Sequence, residues 1–345
     1  MPGAKAPALP GSARLQRPLA DLQHPSTNTP CRPRVPRLAK LLGYALAALL
    51  LVENGAQKGV ALAVVMAPNA LRSASAAHGL PLPPELERRA ASRFELDVGP
   101  PAAHLVSWLI EPRTSPPRGT IVLLHGIRMD RRSLVKLGVA FSDAGYRAAL
   151  VDLRGHGESS GRYLTYGEVE ARDLSSLLDA LELRAPLGGV GVYGYSYGGA
   201  VALELGARDA RVRAVVAAAP FASLREVVLD YRDRYLPFPL RLIPDAWFEQ
   251  AVDQASRLAL FNPDDSAPIR AISRSRAHQL LIHGTRDEQV PLRHSRELAG
   301  AAGASAQIIT LEGASHANLP FDTVSQAALS WFGQWLAPAA CGAPI

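Results

Sequence analysis

The sequence predicts an α/β protein: a mostly parallel central sheet with helices on both faces and a small helical cap. Three observations carry this. From about Phe94 onward, short apolar runs alternate with longer segments of helical period, the pattern of strands joined through crossover helices. Several of the runs, Thr120-Ile121-Val122-Leu123-Leu124 above all, are apolar throughout, as strands buried on both faces are. The residue clusters that could carry chemistry each stand just past the end of such a run, where open parallel sheets form their sites.

In chain order, Phe94 to Val98 and His104 to Ile110 read as two strands joined by the Gly99-Pro100-Pro101 turn. Thr120 to Leu124 is the next strand, Asp130 to Ala144 a helix, Tyr146 to Val151 a strand and Tyr166 to Leu183 a helix. Val190 to Tyr193 is a strand, Ser196 to Ala207 a helix and Val212 to Ala219 a strand. His278 to Ile282 and Ala306 to Leu311 are the last two strands, and Phe321 to Leu336 a closing helix with Trp331, Phe332 and Trp335 on its apolar side. Between Pro220 and His278 the chain is too long for a simple crossover. With Pro237, Pro239 and Pro244 it is also too proline-rich for one straight helix. Residues 224–272 are therefore expected to form a cap insertion in a domain spanning 94–337.

The N-terminal part is different. Residues 1–37 are rich in Pro and Arg with no apolar period, so they are expected to be disordered. Residues 1–40 hold seven basic side chains against one acid, which is the whole net charge of +6. The rest of the chain balances to zero and shows no basic stripe with interleaved aromatics, which argues against nucleic-acid binding. A basic flank (Arg34, Arg37, Lys40) leads into the segment 38–67, whose first run is twelve uncharged residues, Leu41 to Val52. That run is shorter than the ~20 residues a membrane-spanning helix needs and matches the apolar region of an export signal. Three readings stand: a signal or uncleaved anchor placing the protein at or beyond a membrane, an amphipathic segment on a membrane surface, or an N-terminal helix packed on the body of a cytoplasmic protein. The two cysteines, Cys31 and Cys341, lie near the termini and give neither a disulfide framework nor metal-ligand spacing. No metal or cofactor is expected.

The chemistry centres on Gly194-Tyr195-Ser196-Tyr197-Gly198, between a buried strand and a helix. Gly-x-Ser-x-Gly in that context makes a sharp turn that pushes the serine hydroxyl into the cleft. Side chains at Gly194 and Gly198 would clash across it, and the helix N-terminus behind it favours developing negative charge.

At this point the chain resembles the α/β-hydrolase superfamily over residues 94 to 337. The resemblance extends to four further motifs: His125-Gly126 after a buried strand, Asp152 to Ser159 after the next, His283 to Pro291, and Gly313-Ala314-Ser315-His316. It implies the α/β-hydrolase fold and a Ser-Asp-His triad in the superfamily's order.

A serine hydroxyl needs a base. Of nine histidines, His316 alone follows the last strand on a loop of small residues and is assigned as that base. His125, His156 and His283 are expected to shape turns. The acid that orients the base is assigned to Asp287, with Glu288 and then Glu226 as competitors. By resemblance, the oxyanion hole consists of the backbone amides of Ile127 and Tyr197. The Tyr197 side chain either shapes the acyl pocket or packs under the helix, and Tyr195 is expected to pack behind Ser196.

The expected reaction is hydrolysis of a carboxylic ester of a small-molecule acyl substrate through an acyl-enzyme on Ser196. A serine peptidase of the aminopeptidase or prolyl-oligopeptidase type, or a thioesterase, is the alternative, and a non-catalytic binding protein on the same fold comes last. A serine in place of a carboxylate nucleophile argues against dehalogenase and epoxide-hydrolase chemistry.

Overall fold

In the computed structural model, residues 53–70 and 81–336 are described. The sheet has eight strands: β1 (Ser92–Val98), β2 (Ala103–Ile110), β3 (Gly119–Leu124), β4 (Arg147–Asp152), β5 (Gly189–Tyr195), β6 (Val212–Ala218), β7 (His278–Gly284) and β8 (Ala306–Leu311). Their order is β1-β2-β4-β3-β5-β6-β7-β8. β2 pairs antiparallel with both β1 and β4, and every other pairing is parallel. Every residue of β3 and β4 is buried, as their unbroken apolar runs require, and all eight strands match the sequence expectation to within a few residues.

The chain steps from β3 outward to β4, then crosses back over β3 to β5. The strand order therefore reverses between the carboxyl ends of β3 and β5, the place where open sheets leave a crevice for ligands. Ile127 follows β3 and Ser196 follows β5, so the reversal sets the two loops beside one another.

The helices cover both faces: α3 (Val135–Asp143), α4 (Glu168–Glu182), α5 (Tyr197–Arg208), α9 (Arg293–Ala302) and α10 (Phe321–Trp335). The expected helix over Asp130–Ala144 starts as a tight 3-10 turn, Arg131–Leu134, and becomes α-helical only at Val135. Asp130 caps it, its side chain accepting the Arg132 N–H. The buried Arg131 guanidinium joins Asp152 and Glu158 in an ion-pair cluster, so the loop after β3 and the turn after β4 are held to each other through charge.

The insertion after β6 holds α6 (Leu224–Tyr235) and α7 (Asp245–Ala259), which pack on each other, and α8 (Pro268–Arg274). The last of these packs on α5 and α9. The cap is thus α6 and α7 alone, and the chain has rejoined the body by Pro268.

The expected tail 1–37, the apolar run 41–52 and both cysteines lie outside the described residues. Pro84–Glu87 form a single helical turn, α2, and residues 53–65 a helix, α1. Its Gln57, Ala61 and Val65 are buried at four-residue spacing, the stripe of a helix packed along one side. Gln57 donates to the Trp247 carbonyl at 3.0 Å and to Gln250 at 3.2 Å. The Tyr166 hydroxyl donates to the Val64 carbonyl at 2.6 Å, and Met66 forms an antiparallel bridge with Tyr163. Within 38–67, residues 53–65 thus pack on the cap and the body. Among the described residues no helix is long and apolar enough to cross a membrane.

The nucleophile helix α5 is buried along ten of its twelve residues, including Glu204, whose Oε1 has no hydrogen-bond partner among the described residues. Burial, with neighbouring Glu168 adding to it against the pull of Arg274, pushes this carboxyl up to about 8. A carboxyl raised in the folded state costs stability once the unfolded chain ionises, so the penalty grows as pH rises from the unfolded pKa toward the folded one. Glu204→Gln is therefore expected to be nearly neutral in urea melts near pH 5 and stabilising by about 2–4 kcal/mol near pH 8. An equal effect at both pH values would contradict this.

Candidate active site

Ser196 sits between β5 and α5 with φ 53° and ψ −116°, a left-handed conformation that costs a non-glycine residue about 1–3 kcal/mol. The turn is over-determined. The Ser196 N–H donates to the Ala218 carbonyl at 2.7 Å, and the Ser196 carbonyl accepts the Gly199 and Ala200 amides as α5 begins. A Cβ on Gly194 would strike the Gly198 carbonyl, and one on Gly198 would strike the carbonyls of His125 and Leu124. Both glycines are thus required by close approach of backbone.

Ser196, His316 and Asp287 come together and are buried. The Ser196 hydroxyl donates to His316 Nε2 at 2.9 Å, and His316 Nδ1 donates to Asp287 Oδ2 at 2.7 Å. Of the competing acids, Glu288 is exposed and lies 3.4 Å from Arg234, while Glu226 pairs with Arg293. Neither is the carboxylate that His316 contacts.

Asp287 is held from four directions. Its Oδ1 accepts the amides of Gln289 at 3.0 Å and Val290 at 2.8 Å. Its Oδ2 faces His316 and, at 3.2 Å, His283 Nε2. Burial alone would favour the neutral acid. Hydrogen bonds from His283 and His316, with the Val290 amide, outweigh it and hold the carboxyl well below the usual carboxylate range.

His283 does more than shape a turn. It is fully buried, its Nδ1 lies 2.7 Å from Ser295 Oγ, and its Nε2 lies 2.8 Å from the Val290 carbonyl. A carbonyl only accepts, so Nε2 carries the proton and shares it with Asp287, while Nδ1 accepts from the serine. Two histidines therefore grip one carboxylate.

Tyr195 is half-buried against the base. Its hydroxyl donates to the His316 carbonyl at 2.6 Å, the two rings lie 5.4 Å apart, and burial first of all pushes the phenol up to about 12, keeping it a donor. Tyr197 packs beneath the helix, its hydroxyl donating to Glu170 at 2.9 Å, and its residue also lines the pocket described below. His125 is neutral: burial lowers it to about 4, its Nδ1 donates to the Gly126 carbonyl, and its Nε2 accepts the Leu153 amide. It ties the loop after β3 to the turn after β4. His156 is likewise lowered to about 4 by burial.

Ser196, Ile127 and Tyr197 line a cavity of about 580 Å³ between the body, α1 and the cap. Among the described residues neither the Ile127 nor the Tyr197 backbone N–H has a hydrogen-bond partner. Arg128, next to Ile127, also has a positive φ, 61°, and turns the loop at this point. One set of potential metal ligands gathers elsewhere among the described residues, Glu226, His294 and Glu297. Both His294 nitrogens are engaged, Nδ1 by the Ala222 amide at 3.2 Å and Nε2 by Asp230 at 2.7 Å, so the group reads as an ion-pair network joining α6 to α9.

Residues 121–329 match the alpha/beta hydrolase family, and the chain belongs to that family. Among curated proteins it is 27% identical over 215 residues to the uncharacterised Bacillus subtilis protein YqkD, covering 60% of this chain and 67% of that one. It is 28% identical over 188 residues to human Protein ABHD12B, covering 52% and 48%. The chain thus aligns with between about half and two thirds of the length of these relatives. Among solved structures, the Pyrococcus furiosus esterase Pf2001 superposes with TM-score 0.58 at 18% identity over 75% of this chain and 97% of that one. A puromycin-hydrolysing peptidase of Mycobacterium tuberculosis superposes with TM-score 0.57 at 22% identity over 76% and 41%. At these identities the superpositions establish the shared fold.

His283 acts on the base only through Asp287. Replacing it with leucine is expected to lower kcat roughly tenfold, about 1.4 kcal/mol, with KM little changed and the acid limb of the pH–rate profile moved to higher pH. An unaltered kcat and profile in a folded variant would show that the His283 contact is only structural.

Proposed function

We propose that this protein hydrolyses carboxylic esters through an acyl-enzyme on Ser196. The observation that carries the reading is the continuous path from the Ser196 hydroxyl through His316 to Asp287, with its serine on the floor of an apolar cavity. In this reading His316 Nε2 takes the proton as Ser196 Oγ attacks the ester carbonyl. Asp287, ionised, steadies the imidazolium through Nδ1. Ile127 and Tyr197, whose amides are unpartnered among the described residues, line the same cavity as Ser196, and in this reading those amides serve as the oxyanion donors. His316 then passes its proton to the leaving alcohol, and water activated by the same imidazole releases the acid.

The pocket lining favours esters over peptides with a free amino terminus. Among the described residues it includes two arginines, Arg128 and Arg232, and no carboxylate to pair with an α-amino group. No proton relay beyond these side chains is required, so neither a metal nor an organic cofactor enters the scheme.

A fluorophosphonate probe is expected to label the protein at Ser196 and to leave Ser196→Ala unlabelled. With p-nitrophenyl esters beside aminoacyl anilides, the esters are expected to turn over at least a hundredfold faster. Faster anilide cleavage, or no Ser196-dependent labelling of folded protein, would overturn the proposal.

A further inference from the structure

Two cavities border residues of the triad, and they differ in what lines them. The larger, about 580 Å³, contains Ser196, Ile127 and Tyr197 in its lining but not His316. The smaller, about 160 Å³, is lined by His316 and Tyr195 but not Ser196. In acyl transfer the carbonyl carbon bonds to the serine, while the leaving group departs toward the imidazole that protonates it. On the reading of Ser196 as nucleophile, on which this inference rests, the acyl chain therefore enters the larger cavity and the alcohol faces the smaller one.

The larger cavity is built mainly from aliphatic and aromatic side chains: Leu224, Val227 and Val228 of α6, Phe248 of α7, and Phe221. Its charged groups are spoken for or lie at its edge. Arg232 is committed to Asp233, Asp245 and the Ile243 carbonyl, and Arg128 is exposed. The remaining wall is α1, which contributes Val60, Ala63 and Val64. This wall is fastened to the cap through Gln57 and to the body through the Tyr166–Val64 and Leu164–Val65 hydrogen bonds, 2.6 and 2.8 Å. Its apolar residues thus have a use inside the folded protein, as a wall of this cavity.

We infer that α1 is a resident wall of the acyl site and that the substrates are esters of medium- to long-chain aliphatic acids, with Val60, Ala63 and Val64 setting the chain length accepted. A cavity of this size falls in the range that encloses a drug-sized ligand, about 300–1,000 Å³. Each methylene transferred from water into such a site is worth about 0.8 kcal/mol. That corresponds to a rise of about three- to fourfold in kcat/KM per added carbon until the cavity is full.

The test is an acyl-length series of p-nitrophenyl esters from acetate to dodecanoate, with a parallel series of acetate esters of lengthening alcohols. Both are run on the full chain, Val64→Trp and Ala63→Trp. Ala63 is exposed at the rim, so its replacement does not require the helix to repack. For the unaltered protein, kcat/KM is expected to climb at least a hundredfold from acetate to the best acyl ester, and by less than tenfold along the alcohol series. Each tryptophan variant is expected to lower the ratio of decanoate to acetate kcat/KM at least tenfold, with the optimum moved to shorter chains. Two outcomes would overturn the inference: a flat or falling acyl profile in protein that Ser196-directed fluorophosphonate still labels, or tryptophan variants that fold and label but keep the original profile. Loss of labelling itself would instead strike at Ser196 as nucleophile, so the two failures are separable.

Discussion

Ser196 keeps its left-handed backbone, φ 53°, because β5 ends and α5 begins within a residue of it and because Gly194 and Gly198 let two backbones touch across the turn. The strain is balanced by burial of the two flanking elements and by the Ala218 and Gly199 hydrogen bonds. That one conformation fixes several things together. It aims the hydroxyl at His316, leaves the Tyr197 amide free at the head of α5, and sets the start of that helix beside the loop after β3. The reversal of strand order at β3 and β5 then brings Ile127 alongside. Relaxing the turn would undo both the proposed nucleophile and its proposed oxyanion donors at once.

Around that turn, hydrogen bonding overrides burial. Asp287 sits where desolvation alone would neutralise it, yet two imidazoles and two amides keep it ionised. His125 and His156, equally buried and lacking such a carboxylate, go the other way and stay neutral. Tyr195 and Ser295 complete the arrangement by fixing the His316 loop and the His283 ring.

Much of this was legible in the sequence, for local reasons. The strands showed themselves as unbroken apolar runs, and Ser196 as a serine between glycines at the end of one. Asp287 stood ahead of Glu288 by its place in the resembling motif, and the geometry adds the contact itself, with a histidine 29 residues further on. The part His283 plays rests on Val290 and Ser295 coming back against its ring, a tertiary fact with no pattern in the chain. Residues 53–65 were hardest to place. The apolar run behind the basic flank, Leu41 to Val52, lies outside the described residues, and what positions the stretch after it, Gln57 in register with Gln250 and Gln254, appears only once α7 is folded against it. The end of the cap was misplaced for a similar reason, because α8 is short and nothing in it marks its packing on α5.

The central claim is that a covalent acyl group passes through Ser196. Rapid-quench mixing of the protein with an activated long-chain ester, followed by proteolysis and mass mapping, reads this directly. The account predicts a mass increase equal to the acyl group on the peptide containing Ser196, absent from Ser196→Ala. Ester turnover with no adduct on that peptide, or an adduct on another residue, would contradict it.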